Sequence, residues 1–139
     1  RFQTCAPGHT FCIGPVTVTP VALTHSRPTL GWVIDCGGRR LAYLSDTRGL
    51  PEDSFATLAV APVDLCVLDC AYPNGTNGPR GHNDLAEATA ILNRMAPEIA
   101  RLTHVNHELD GAAEAAPPDA PFARDGEIFT LAPDHQRLG

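Results

Sequence analysis

The stretch LGWVIDCGGRRLAYLSD, residues 30–46, decides the fold. It holds two apolar runs on either side of Gly37 and Gly38. Paired glycines can take the positive φ values that a tight hairpin requires. The segment therefore predicts two antiparallel strands, the second ending at Asp46. Upstream, PVTVTPVALTH (15–25) alternates Val and Thr up to His25, which is strand patterning with Pro20 at an edge or bulge.

Downstream, the pattern changes period. PEDSFATLAV (51–60) predicts a short helix, with Pro51 in its first turn and Glu52 and Asp53 facing the positive end of the helix dipole. VDLCVLDC (63–70) is compact and apolar enough for a buried strand. AYPNGTNGPRGHN (71–83), dense in Gly, Pro and Asn, reads as a loop that delivers His82 to a helix start. There Asp84 and Glu87 form a capping-box pattern, and the helix runs through ATAILNRMA to a stop at Pro97. IARLTH (99–104) predicts another strand, GAAEAAPPDAP (111–121) a surface connection with room for a helical turn, and GEIFTLA (126–132) a last strand. No internal repeat is visible. Strands and helices alternating around hairpins give an α/β (α+β layered) domain.

Composition limits what such a domain does. At 139 residues and 43% hydrophobic, the chain is material for one domain of ordinary size. Sixteen acidic against ten basic residues leave a net charge of −6, which argues against a nucleic-acid or anionic-membrane surface. An anionic small substrate would need local positive charge, most simply a metal ion. Apolar runs broken by Pro and Asp fall short of a membrane span. Five cysteines, two within apolar runs, read as buried thiols of a cytoplasmic protein. The loop CAPGHTFC, with Cys5, His9 and Cys12, offers three zinc-type ligands where four are usual, so a plain loop is the better reading. The opening RFQTC lacks Met and any leader pattern, which leads us to expect a cut inside a larger protein.

Three apolar runs end alike: VALTH at His25, LAYLSD at Asp46 and ARLTH at His104. Side chains at strand ends project from a rigid sheet, where a site is assembled with small positional error. Two imidazoles and a carboxylate match what zinc, manganese or iron accepts. Taken singly, each has a blander reading as a hydrogen-bonded histidine or a turn-forming aspartate.

The ordered set LTHSRPTLGWVID, LAYLSDTRGLPE, VLDCAY, RGHNDL and LTHVNHELD resembles the second half of a known family, the metallo-β-lactamase-fold phosphodiesterases of phosphonate metabolism that act on phosphoribosyl 1,2-cyclic phosphate. The resemblance runs from about Val16 to Ile128 and implies the C-terminal half of an αββα sandwich. It implies that His25 is a ligand of one metal, Asp46 the carboxylate bridging two, and His104 a ligand of the second. His82 resembles the histidine that contacts the substrate phosphate or protonates the leaving oxygen, and imidazoles exchange protons near neutral pH; its bland reading is a loop histidine beside a helix start. His107 resembles the histidine that completes a separate structural zinc site with cysteines; its bland reading is a surface residue beside Glu108. The cofactors implied are two divalent transition metals, manganese or zinc, plus that structural zinc, and the partner a cyclic phosphate, with no nucleic acid or membrane and a homodimer allowed.

The family's HxHxDH signature occurs nowhere in this sequence and is expected to precede Arg1. The three ligands present suffice in number for one metal but not for two, so these residues alone are expected to be nearly inactive. They would also lack the sheet that should cover one apolar face. The alternatives are a tRNA 3′-processing nuclease of the same fold, disfavoured by the low basic content, and a non-catalytic relic or binding module.

Overall fold

The computed structural model describes residues 4–75, 81–115 and 120–138. Its sheet consists of β1 (Phe11–Ile13), β2 (Val16–Leu23), β3 (Thr29–Cys36), β4 (Arg39–Leu44), β5 (Leu65–Asp69) and β6 (Ile99–Thr103), in that spatial order. The first four strands form an antiparallel meander, and β4, β5 and β6 are parallel. Parallel neighbours need crossover connections. Helices α1 (Glu52–Leu58) and α2 (Leu85–Met95) lie in those two crossovers, and α3 (His107–Glu114) follows β6.

The hairpin of residues 30–46 forms as its glycines dictate. Gly37 and Gly38 sit at φ 57° and 75°, and Cys36 pairs with Arg39. The capping box is present in full: the Asp84 carboxylate accepts from the Glu87 N–H, and the Glu87 carboxylate accepts from the Asp84 N–H. Arg94, in the last turn of α2, clasps Glu52 of α1 through two hydrogen bonds of 2.7 and 2.6 Å.

One face of the sheet carries the core. Val21, Leu23, Val33, Ala42, Leu44, Cys66, Leu68 and Leu102 pack with Leu58, Ala88, Ile91 and Leu109 of the helices in a single buried cluster. On the other face, alternation places Trp32, Ile34, Leu41, Tyr43 and Val67, none of them buried, with Tyr43 44% exposed. No helix among the described residues is long and apolar enough to cross a membrane.

Two expectations are corrected, for GEIFTLA and CAPGHTFC, and two that hold, the helical turn within 111–121 and the short helix within 51–60, gain definite bounds. GEIFTLA forms no strand: residues 127–132 make no ladder, Glu127 pairs with Arg101 at 2.7 Å, and Phe129 lies under the Arg101 guanidinium. A strand pattern needs a partner edge, and the bridge that β6 makes on this side, Leu102 to Phe122, falls ahead of the stretch. The surface connection at 111–121 is in part the second half of α3, which starts at His107 because the Asn106 side chain accepts from the N–H groups of Glu108 and Leu109; residues 116–119 lie outside the described ones. CAPGHTFC is not wholly loop, since Phe11–Ile13 pairs with β2. Finally, the helix expected over 51–60 closes at Leu58.

Candidate metal site

Strands β2, β4, β5 and β6 all run the same way through the sheet, so the segments that follow them emerge at one edge. Cross-strand register makes this concrete: Leu44 pairs with Leu68, and Leu68 with Leu102. Two residues beyond Leu44 stands Asp46, one beyond Leu68 stands Asp69, and two beyond Leu102 stands His104. His25 follows β2 on the same edge, and the loop before α2 returns His82 to it. The sequence spreads these residues over 80 positions, and the topology collects them.

Asp46, Asp69, His82 and His104 each offer a ligand atom, and these atoms all lie within 4.8 Å of one another. The Asp46 carboxylate is 3.4 Å from His104 Nδ1. The His82 ring stacks on His104 with centroids 4.4 Å apart, and the His25 ring lies 5.1 Å from His82. Asp46 and His104 are both half-exposed and both left-handed, at φ 62° and 64°. Non-glycine residues pay for that conformation, and they hold it where surrounding bonds over-determine it.

His25 donates its Nδ1–H to the Gly81 carbonyl at 3.0 Å, which leaves Nε2 with its lone pair. That is the arrangement in which an imidazole ligates a metal through one nitrogen while its other N–H is anchored. A Cβ on Gly81 would lie 2.8 Å from the His25 ring, so the glycine is what lets the loop close over it.

Asp69 was missed in reading the sequence. It ends an apolar run just as Asp46 does, but its place beside His82 depends on the fold. Fully buried, it accepts from His82 Nδ1–H at 2.7 Å, from the Thr47 N–H at 3.3 Å and from the Asn83 N–H at 3.1 Å. Those three donors take up three of the carboxylate's roughly four acceptor positions and hold it where it orients His82. Asp46 and His104, both half-exposed, offer oxygen and nitrogen donors of the kind divalent transition metals accept, while His25, an anchored imidazole, lies outside the group whose ligand atoms come within 4.8 Å of one another. The donor set therefore fits a divalent cation.

His107 opens α3 and is exposed, and it joins no metal-competent group among the described residues. The same holds for Cys5, His9 and Cys12. Burial raises the Cys66 and Cys70 thiols to about 12, and for Cys70 the nearby Asp69 and Asp84 add to it.

The family described as beta-lactamase superfamily domain matches residues 1–105. Among solved structures, the metallo-beta-lactamase fold protein YhfI from Bacillus subtilis is 25% identical with a TM-score of 0.65, covering 74% of this chain and 41% of its own. A diphosphatase from the PhnP family is 21% identical with a TM-score of 0.70, covering 93% of this chain and 49% of its own. Human tRNase Z, short form, is 22% identical with a TM-score of 0.60, covering 70% and 38%. The chain thus spans less than half the length of each. No curated protein sequence matches it.

Proposed function

Because this chain belongs to the beta-lactamase superfamily domain family, whose fold commonly houses metal-dependent hydrolases, we propose that it serves a metal-dependent phosphodiesterase acting on cyclic ribose phosphates, phosphoribosyl 1,2-cyclic phosphate among them. The observation that carries this reading is the pairing of two functions within a few ångströms. Asp46 and His104 present open ligand atoms, and beside them His82, held by buried Asp69, presents its remaining ring nitrogen. The likeness to a PhnP-family diphosphatase supports the phosphorus chemistry at the level of fold.

Asp46, His104 and His25 would hold the metal, manganese or zinc, with further ligands for a second ion supplied from outside these residues. A divalent cation supplies Lewis acidity: it neutralises charge on phosphoryl oxygens and makes water more acidic. The residues of this chain do the rest. His82, with its Nδ1–H committed to Asp69, turns Nε2 toward the space beside His104. Protonated there, it either donates a hydrogen bond to a phosphoryl oxygen or gives its proton to the departing sugar oxygen. A general acid so positioned contributes about 10²–10⁴-fold. A net charge of −6 disfavours long RNA substrates and leaves small anions captured locally.

The test is turnover of phosphoribosyl 1,2-cyclic phosphate by the natural full-length protein, with metal content measured alongside. Hydrolysis and about two equivalents of transition metal, both lost in Asp46→Ala, support the proposal. Cleavage of a tRNA precursor in preference to the cyclic phosphate would replace it with the nuclease reading, and a protein that takes up no metal would sink it.

A further inference from the structure

We infer that Thr47 and Asn83 are positioning residues whose hydrogen bonds fix the spacing of His25, Asp46, His82 and His104, so that metal affinity depends on two side chains that touch neither metal nor substrate. The inference rests on the reading of Asp46, His25 and His104 as metal holders and goes beyond it.

Both residues are fully buried, and each directly follows a site residue in the chain, Thr47 after Asp46 and Asn83 after His82. The Thr47 hydroxyl accepts from the N–H of Thr24, the residue before His25, at 3.1 Å and donates to the Gly49 carbonyl at 2.7 Å. Its carbonyl accepts from the Asn83 N–H at 3.1 Å. The Asn83 side chain accepts from the Gly49 N–H at 2.8 Å and donates to the Asp69 carbonyl at 3.1 Å. The Asn83 carbonyl accepts from the Ala71 N–H at 3.0 Å, and the Ala71 carbonyl from the N–H of Asn106, two residues past His104, at 3.2 Å. These bonds link the loops after β2, β4, β5 and β6 without a break, and every link lies within three residues of a site side chain.

A hub serving stability alone would need only to satisfy its own polar groups. This one instead spans the loops on which Asp46 and His104 hold left-handed backbone, a conformation that unrestrained loops of non-glycine residues seldom keep. Residues beyond a metal's direct ligands that orient those ligands typically change affinity or activity about 10–100-fold when altered.

Thr47→Val keeps the side chain's shape and removes both hydroxyl bonds, whereas Thr47→Ser keeps them. In the natural full-length protein, zinc and manganese binding is measured by competition with a chromophoric chelator, with circular dichroism and a metal-free melting curve as the record of folding. The expected result is about 10–100-fold weaker binding by folded Thr47→Val, with Thr47→Ser close to wild type. A merely structural role would lower the melting temperature and leave affinity unchanged; folded Thr47→Val that binds as tightly as wild type overturns the inference. Should Thr47→Val fail to fold, Asn83→Asp, which keeps the acceptor for Gly49 and loses the donor to Asp69, is measured against the same thresholds. Wild-type protein that binds no metal overturns this inference together with the proposed function, whereas metal-binding wild type with unaffected variants overturns this inference alone.

Discussion

Asp69→Asn is the change whose consequences the geometry defines most closely. One carboxylate oxygen accepts from His82 Nδ1–H and the Thr47 N–H, and the other from the Asn83 N–H. An asparagine has one acceptor oxygen and one NH₂. With its oxygen toward Asn83, the NH₂ faces the Thr47 N–H and the His82 nitrogen, so the buried Thr47 donor is stranded and the imidazole must surrender its Nδ1 proton and become the other tautomer. With the amide reversed, the NH₂ faces the Asn83 N–H, which keeps only the Thr47 carbonyl as acceptor. A stranded buried donor costs about 1–3 kcal/mol, and a hydrogen bond to a charged partner contributes about 1.5–3. Together these put the loss of stability at about 3–5 kcal/mol, read as a shift of the urea midpoint. The tautomer change falls on turnover, where loss of a positioned acid costs about 10²–10⁴-fold. Asp69→Glu, which keeps the charge and misplaces it, should recover stability better than activity. An Asp69→Asn protein that unfolds within about 1 kcal/mol of wild type and turns over the cyclic phosphate unimpaired would show that the carboxylate neither holds the loop nor sets the imidazole.

Other perturbations probe the edge of the sheet away from the site, the C-terminal turn and the cysteines. Burial would raise the Asp64 carboxyl, but the Arg40 N–H and the Arg39 and Arg137 guanidiniums outweigh it and hold it below its ordinary value. Its stabilising effect is therefore complete above that ordinary value and lost as pH falls through the folded one. Asp64→Asn should lose about 2 kcal/mol at pH 7 and show a flatter acid limb in urea titrations than wild type; parallel limbs would refute the assignment. Gly38→Ala would force left-handed backbone on alanine and drive its Cβ into the Asp134 carbonyl, so it should cost at least about 1–2 kcal/mol and free residues 134–138 to proteolysis; an unchanged melting temperature would contradict the packing. With Cys66 and Cys70 buried and raised to about 12, and Cys5, Cys12 and Cys36 exposed, thiol labelling of native protein at pH 8, mapped residue by residue by mass spectrometry, should find Cys5, Cys12 and Cys36 modified fast and Cys66 and Cys70 only on unfolding. Fast labelling of Cys66 or Cys70 would refute the burial.

What the sequence made legible was local. The hairpin follows from two glycines, α2 from the Asp84–Glu87 box, and the strand ends from where apolar runs stop; each is decided within a few residues. Non-local features were not legible. GEIFTLA has strand periodicity, yet periodicity states which faces alternate and not which edge is free. The Asn106 cap that starts α3 lay in a stretch whose two histidines invite a chemical reading, and the capping signal went unused. Asp69, Thr47 and Asn83 matter only because loops from four strands meet, and the left-handed backbone of Asp46 and His104 has no sequence signature beyond the modest enrichment of Asp and His in that region.

The gathering of the site follows from packing rather than from any attraction among its members. Register along β4, β5 and β6 is set by Leu44, Leu68 and Leu102, all fully buried on the core face. A slip of one residue would turn that leucine row outward and expose three large apolar side chains, at about 1.5–3 kcal/mol each. The same register fixes how far Asp46, Asp69 and His104 stand beyond the sheet's edge. Asp46 and His104 stand there on left-handed backbone, a strain that the site itself does not repay. The leucine row and the Thr47–Asn83 bonds bear that cost, which is why the residues with most influence on the chemistry include several that never reach the substrate.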